Sequence, residues 1–513
     1  MNRIRLISVL GLLLCSLAGV SAQTYEQMFR NNFWNASDNV TGIRQDTVSR
    51  SYAELSGNYE DGGFRDTWQA PRGWSAGAST ASIQHLENMS LKGSFAFTQT
   101  EGYGMCGSMF IKPGYYPVDI LEFTPGRKTL QTYQFDGGFS YDLDSKWRIG
   151  AMMDFESANI AKRKDLRHSN SLLDMTVAPG FMYHDGDFAV GASAVFGKVS
   201  ERVEAEQVGT SESSYYAFLD KGTMRGVYSV WNGSGLHLEE SGVNGFPVNE
   251  LSYGASAQVQ YRDFFADFKY MQTSGKVGEK EYIWFRYPGN EMVLNMRYRI
   301  VGRYDGDHYF RLSAGRKKLV MHEAVLEKVS ENGIVTVLNH GQNRILSRQT
   351  WSLSPQYEFV HHVMEVQAGA ELNVKQEISS QIYPFVFGQT FTQASAYVGM
   401  VFHLGRFDWG VKGTYGRGWF SEDVKVMEQD TGIQTSPYRP VDWYDRHVEY
   451  LTATRFRSQL MARYNFDRGI YLGLDMSSVQ GRIHQLLEPG GGGPVEAVEK
   501  YRLEVTLKLG VNF

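Results

Sequence analysis

The last fourteen residues, KYRLEVTLKLGVNF, alternate without a break. Tyr501, Leu503, Val505, Leu507, Leu509, Val511 and Phe513 are all apolar, and the positions between them carry Lys500, Arg502, Glu504, Thr506, Lys508, Gly510 and Asn512. A two-residue period is the period of a β-strand, whose successive side chains point to opposite faces. The same pattern recurs upstream. Leu251, Tyr253, Ala255, Ala257, Val259 and Tyr261 alternate with Ser252, Gly254, Ser256, Gln258 and Gln260. MEVQAGAELNVK (364–375), KWRIGAMMDFE (146–156) and FRSQLMARYNF (456–466) follow suit. Each is about 10 residues long, the length a tilted strand needs to cross a bilayer.

The connections between such segments sort by length. Short turns are predicted at His85–Asn88, Asp142–Ser145, His184–Asp187, Arg262–Asp263, Asp305–Asp307, Val360–Val363, Leu404–Arg406 and Asp467–Gly469. Long polar stretches separate them: Gly197–Glu250, Thr273–Asn290, Lys317–Arg348, Gly416–Arg455 and Val479–Val495. Short turns at one end and long loops at the other are the plan of a transmembrane barrel, and a soluble sandwich has no reason to sort its loops that way. Eight short turns with both termini on their side predict one all-β, antiparallel transmembrane barrel of about 18 strands over residues 51–513, with short periplasmic turns and long extracellular loops. The count falls to about 16 if the first strand, Tyr52–Tyr59, does not join the wall.

The other end of the chain fits an exported protein. Residues 1–22 have Arg3 and Arg5, an apolar run from Leu6 to Val20, and Val-Ser-Ala, which reads as a signal peptide cleaved after Ala22. A lipoprotein anchor at Cys15 is disfavoured because Leu14 occupies a position where such signals want a small residue. Cleavage leaves Cys106 as the one cysteine, so no internal disulfide can form. Without the leader, 49 basic residues face 56 acidic ones, a formal charge of −7 that argues against nucleic acid as a partner. Beyond residue 22 no apolar run reaches the length of a membrane helix. Thirty Tyr, thirty Phe and 54 Gly against 13 Pro suit a large β protein.

Closure of a barrel in lipid requires the last strand to pair with the first, since an open edge costs several kcal/mol per unpaired group. An alternating final strand ending in Phe513 resembles the assembly signal of bacterial outer-membrane barrels. That resemblance implies recognition by the barrel-assembly machinery, an outer-membrane lipid surround and a location in the bacterial outer membrane. RSYAELSGNYEDGGFRD, PGYYPVDILEFTPGRKTLQTYQFDGGFSYDLDSKWRIG and KRKDLRHSNSLLDMTVAPGFMY resemble stretches of a Bacteroidota family of outer-membrane barrels without assigned activity. The resemblance implies a neighbourhood of TonB-dependent receptors and surface lipoproteins, and hence nutrient uptake or surface capture as an accessory to such a system. A non-transporting scaffold for a lipoprotein and an outer-membrane lipid-hydrolysing enzyme are the alternatives.

If the apolar faces meet lipid, the lumen receives Arg148, Asp154, Glu156, Gln258, Gln260, Glu365, Gln367, Glu371, Asn373, Lys375, Arg502, Glu504 and Lys508, polar and mixed in sign. That suits a water-filled channel or a lumen plugged by a loop, and 197–250 is long enough to fold inward. Residues 23–50 are too few for a separate plug domain, so they are a short periplasmic segment or a partial plug. The basic run AKRKDLRHSN (161–170) belongs at the outer rim, where it attracts an anion or shapes a turn. His85, His184, His308, His361, His362 and His403 all lie at or beside short turns, too dispersed around a wide rim to meet on one ion. Cys106 in YGMCGSM reads as a packed small residue, and the EPGGGGP stretch (488–494) as a flexible connection. No G-x-S-x-G elbow, H-E-x-x-H or phosphate loop occurs in a suitable context. The expectation is therefore no enzyme, no catalytic, cofactor-binding or metal residues, and no cofactor.

Overall fold

The computed structural model describes residues 30–46, 48–206, 216–223, 229–232, 245–279, 282–302, 306–332, 334–381, 386–424, 440–484 and 498–513. Among these, seven strands come first: β1 (Arg50–Asp61), β2 (Arg72–His85), β3 (Met89–Ser108), β4 (Asp119–Asp142), β5 (Trp147–Lys162), β6 (Arg167–Asp185) and β7 (Phe188–Glu206). Two short ones follow, β8 (Tyr216–Asp220) and β9 (Ser229–Asn232). The rest are β10 (Phe246–Tyr261), β11 (Phe264–Glu279), β12 (Tyr282–Val301), β13 (Gly306–Glu331), β14 (Ile334–His361), β15 (Met364–Ser379), β16 (Phe387–Leu404), β17 (Phe407–Val424), β18 (Arg455–Asn465), β19 (Ile470–His484) and β20 (Val498–Asn512). One helix, α1 (Pro440–Thr452), precedes β18, and no described helix is long and apolar enough to cross a membrane.

Each strand pairs antiparallel with the next. β7 pairs directly with β10, so β8 and β9 lie outside the wall, and β1 pairs with β20 to close it. The result is a closed barrel of 18 strands, the first of them included. Closure runs to the last residue: the Phe513 amide donates to Ser51 O at 2.9 Å and the Ser51 amide to Phe513 O at 2.8 Å. The short turns gather at one end with both chain ends, although Asp305 itself lies outside the described residues. Gly186 (φ 58°) and Gly405 (φ 65°) open two-residue turns in the left-handed region, where the missing Cβ removes the steric cost. Arg262 takes that conformation (φ 53°) with a side chain in place.

The predicted faces point as the period requires. In β10, Leu251, Tyr253, Val259 and Tyr261 are exposed on the outer surface, while Ser256 and Gln258 are buried inside. Exposed aromatic residues form two girdles. Tyr141, Trp147, Tyr261, Tyr298, Tyr464 and Phe513 lie near the short turns; Tyr59, Trp74, Tyr253, Tyr415 and Tyr501 lie towards the other end. Along β10 the girdles are eight residues apart, roughly 27 Å of strand, which the usual strand tilt reduces to about 20 Å of height, of the order of the ~25 Å apolar band of such barrels. A closed barrel wrapped in an apolar band between aromatic girdles is an outer-membrane barrel, because only closure satisfies every strand edge in lipid.

Two of the predicted loops are strand instead. Within 273–290, β11 and β12 continue and leave only residues 280–281 between them. Within 317–348, β13 and β14 run for 26 and 28 residues and meet at a tight turn. The strands outrun the bilayer, and above it polar side chains cost a strand nothing because both faces can meet water or other protein. In this overhang the inner face turns apolar. Val199 and Val203 of β7, Val277 of β11, Phe285 and Tyr287 of β12 and Met321 of β13 form one buried cluster around an inward-folded loop.

Candidate functional site

The barrel lumen is occupied from both ends. At the periplasmic end residues 30–46 lie against the inner wall in two short 3-10 turns. Trp34 is 1% exposed, sits edge-on to Phe265 and donates from Nε1 to Gln260 Oε1 at 2.5 Å. Asn39 Nδ2 donates to Gln258 Oε1 at 2.9 Å and to Phe181 O at 3.0 Å. Four ion pairs tie the segment to the wall: Arg30 with Glu365 (2.8 Å) and Glu358 (3.2 Å), Lys269 with Asp38 (3.0 Å), and Arg44 with Asp142 (2.6 Å). The seat is made of glycines on four successive strands. A Cβ at Gly138 would stand 2.9 Å from Val40, at Gly150 3.0 Å from Val40, at Gly180 2.7 Å from Asn39, and at Gly191 2.6 Å from Asn39 and 2.9 Å from the Trp34 ring. The wall is cut away where the segment rests.

At the outer end four of the described segments fold inward, 216–223 among them. The β3–β4 connection, residues 109–118, buries Met109, Phe110, Tyr116 and Val118 in the overhang cluster. Several of its polar groups are matched. Arg348 donates to Gly114 O (3.1 Å) and Tyr116 O (2.9 Å), the Ile111 amide to Glu201 (2.8 Å), Tyr115 Oη to Glu250 (2.9 Å), and Lys112 Nζ lies 3.0 Å from Asp174. Burial pushes the Tyr115 and Tyr116 hydroxyls well above the usual tyrosine range, with Glu250 and Glu201 respectively adding to the effect. Helix α1 is the second segment. Tyr444 donates to Gln389 (3.1 Å) and Glu422 (3.2 Å), Trp443 packs on Phe123, and Leu451 O accepts from Gln393 (3.1 Å). The third is the β1–β2 connection, residues 62–71. Asp66 meets His447 Nδ1 at 2.9 Å, and Arg446 donates to Gly63 O at 3.1 Å. Burial lowers Arg446 to about 10, with Arg65 nearby adding to it.

Among the described residues two neighbouring chambers stand open, the first against β13–β16 and the second against β15–β20. The first, about 400 Å³, lies between 109–118, α1 and the wall, and contains Trp68, Tyr116, Phe391 and His447 beside a charged cluster. In that cluster Glu377 accepts from Arg348 (2.6 Å) and Gln389 (2.6 Å) and lies 3.1 Å from Lys375. The second chamber, about 490 Å³, shares Asn373, Gln393 and Leu451 with the first and continues along β17, β18 and β20. Aromatic faces, amides and charged groups around an enclosed space can hold a small polar solute.

The lumenal residues expected from alternation are inside, and many are spent on the inserted segments. Gln258, Gln260 and Glu365 hold 30–46. Arg148 donates to Asp142 (2.8 Å), Glu156 meets Lys112 (2.9 Å), Arg502 meets Glu60 (2.7 Å) and Lys508 meets Asp475 (2.9 Å). Asn373, Lys375 and Glu504 line the chambers, with Glu371 beside Asn373. The basic run is split. Lys162 points inward to a buried pair with Glu122 (2.5 Å), His168 is buried against Asn170 (3.0 Å), and Arg167 bonds Asp165 (2.9 Å), an arrangement that shapes the rim. The turn histidines stay dispersed. His85 meets Ser90, His403 meets Asp408, and His361 accepts from the Val363 amide (3.3 Å) with its ring centre 4.0 Å from that of His362. Among the described residues no three His, Cys, Asp or Glu side chains converge as a metal site would require. Cys106 is buried at the outer end of β3. The segments 1–22 and 488–494 lie outside the described residues, as do 207–215, 224–228 and 233–244 of the 197–250 connection; of its described residues, β8 pairs with β4, Ala217 joins the buried overhang cluster, and Asp220 and Thr223 line the first chamber.

The sequence reading missed the inward course of 109–118 and α1. Both carried a signal. MFIKPGYYPV is apolar and aromatic without alternation, and Trp443, Tyr444, His447 and Leu451 recur at helical spacing inside a stretch taken as loop. A family model described as "Family of unknown function (DUF6850)" matches residues 40–513. No curated protein matches the chain. Among solved structures, the FrpB iron transporter from Neisseria meningitidis is similar at 8% identity and a TM-score of 0.42, covering 91% of this chain and 82% of that one. BauA, the ferric preacinetobactin receptor from Acinetobacter baumannii, is similar at 9% identity and 0.38, covering 89% and 80%. The outer membrane protein opdK from Pseudomonas aeruginosa is similar at 8% and 0.34, covering 91% and 99%.

Proposed function

This chain belongs to DUF6850, a family of unknown function, and on that premise we propose that it is a non-catalytic conduit for uptake or surface capture of a small polar solute, accessory to a TonB-dependent system. One observation carries the reading: among the described residues, chambers of about 400 and 490 Å³, the first lined mainly by apolar and the second mainly by polar surface, persist within a lumen into which other segments fold. A barrel that served only as a wall would gain stability by filling that space. Closure at both ends implies a gated path: the outer segments admit the solute and residues 30–46 release it to the periplasm. Single-channel recording in a planar bilayer tests this. The full-length barrel should pass little current, and removal of residues 30–46 together with 109–118 should give steady conductance. A variant that folds, by its heat-dependent gel mobility, and stays silent would end the conduit reading.

The extent of the filling favours a second reading, a surface scaffold. Among the described residues the buried cluster around 109–118 joins residues of β7, β11, β12 and β13 to the inserted loop at the outer end of the barrel. Silence of the opened barrel joined with retention of a surface lipoprotein in a pull-down would select it.

A further inference from the structure

The second chamber has a chemical preference, and its assignment rests on the conduit reading above. Its wall is formed by β15 to β20 and by β1. Lys412 of β17 and Arg457 of β18 lie on paired strands, in register with Gln459 and Thr414, so they are diagonal neighbours on one inward face. The alternation confirms the direction: Val411, Phe456 and Leu460 are exposed to the outer surface, and the residues between them face the lumen.

The charges around the chamber are mostly spent. Glu60 is neutralised by Arg502 at 2.7 Å, and Glu504 accepts from Asn58 at 3.0 Å. Arg455 is held by Tyr450 O at 2.5 Å and lies over the Tyr450 ring. Glu371, on β15 two strands from Lys412, attracts the Lys412 ammonium from beyond ion-pair distance. Lys412 and Arg457 differ from these. Among the described residues neither has a carboxylate partner within ion-pair distance. The Lys412 ammonium rests 3.7 Å from the centre of the Tyr397 ring, which orients it without neutralising it. Two cations held side by side in a recess partly open to solvent repel each other, and an anion between them relieves that cost. Gln393, Gln459 and Ser477 supply neutral hydrogen-bonding groups around the same space.

We propose that this chamber binds a small solute bearing an oxyanion, held between Lys412 and Arg457, with its polar remainder against Gln393, Gln459 and Ser477. A carboxylate and a phosphate share this chemistry, and the arms of the test separate them. Calorimetric titration of the full-length protein in detergent would use galacturonate, inorganic phosphate and, as the uncharged counterpart, galactose. Galacturonate or phosphate should bind, whichever is tighter identifying the oxyanion, and galactose should bind at least about tenfold more weakly. Lys412→Gln and Arg457→Gln should each weaken the bound anion about tenfold, while Arg406→Gln, at an exposed turn paired with Asp467, should leave it unchanged. Heat-dependent gel mobility establishes that each variant is folded. Equal binding of galactose and galacturonate, unaltered binding in both lumenal variants, or no binding of either anion would each overturn the assignment. Any of these leaves the conduit reading to its own test, since current through the opened barrel does not depend on a bound anion.

Discussion

At the residue scale, function depends on side chains that are missing as much as on those present. Gly138, Gly150, Gly180 and Gly191 leave the hollow in which 30–46 rests. For Gly138 the atom nearest a new Cβ belongs to Val40 at 2.9 Å, with Met152 next at 3.1 Å. Gly138→Leu should therefore unseat the segment, at about 1–3 kcal/mol of overpacking, and leave the barrel closed. Val40→Cys, buried in the seated form, should resist a membrane-impermeant maleimide alone and label once Gly138→Leu is added. Arg348 is the opposite case, one side chain serving two carbonyls of 109–118 and the buried Glu377. Arg348→Ala should loosen that loop, costing about 1–3 kcal/mol for the carbonyls left unmatched, since Glu377 keeps Lys375 and Gln389. Faster proteolysis within 109–118 of an otherwise intact barrel would be the readout. Tyr116 sets an alkaline limit. Its folded-state pKa is raised above the unfolded value near 10, so its contribution is complete below that value and is lost as pH rises above it. Tyr116→Phe should extend the protease resistance of 109–118 to higher pH.

At the scale of elements, the strand period is constant while its meaning changes with height. Within the membrane the inward row is polar and the outward row apolar. In the overhang of β7, β11, β12 and β13 the inward row becomes apolar because 109–118 fills the space. Period alone cannot say which row faces in, and that is why 273–290 and 317–348 read as loops. The β13–β14 hairpin extends past its neighbours: β12 pairs with β13 as far as Glu323, and β14 pairs with β15 from Leu346. Residues 324–343 thus form a two-stranded ribbon with open edges, which is marginal by itself in water. Its amides should exchange with deuterium orders of magnitude faster than those of the same strands within the membrane, and equal protection would show that another surface covers it.

At the scale of the whole molecule, the barrel stands or falls on closure. β20 and β1 complete the last ladder, with Phe513 and Ser51 exchanging two backbone bonds at its end. Deleting Phe513 should reduce the amount of inserted, heat-modifiable barrel more than Asn512→Ala, because the deletion removes both ladder bonds and the last lipid-facing ring. Equal insertion would deny Phe513 that role. The architecture was legible because it follows from local chemistry. Alternation in 251–261 and 500–513 set the strands, turn residues set the short end, and lipid demanded that the edges meet. Those constraints act over a few residues and leave their mark in order along the chain. The interior was not legible for the opposite reason. Nothing adjacent in the sequence links Trp34 to Gln260, Tyr116 to Arg348, or Asp66 to His447. A polar inward row is equally compatible with water and with a plug, and each glycine of the seat reads locally as one more small residue in a strand. Whether Glu365 meets solvent or Arg30, and whether Lys412 and Arg457 stay unspent, was decided only when eighteen strands brought distant residues around one enclosed space.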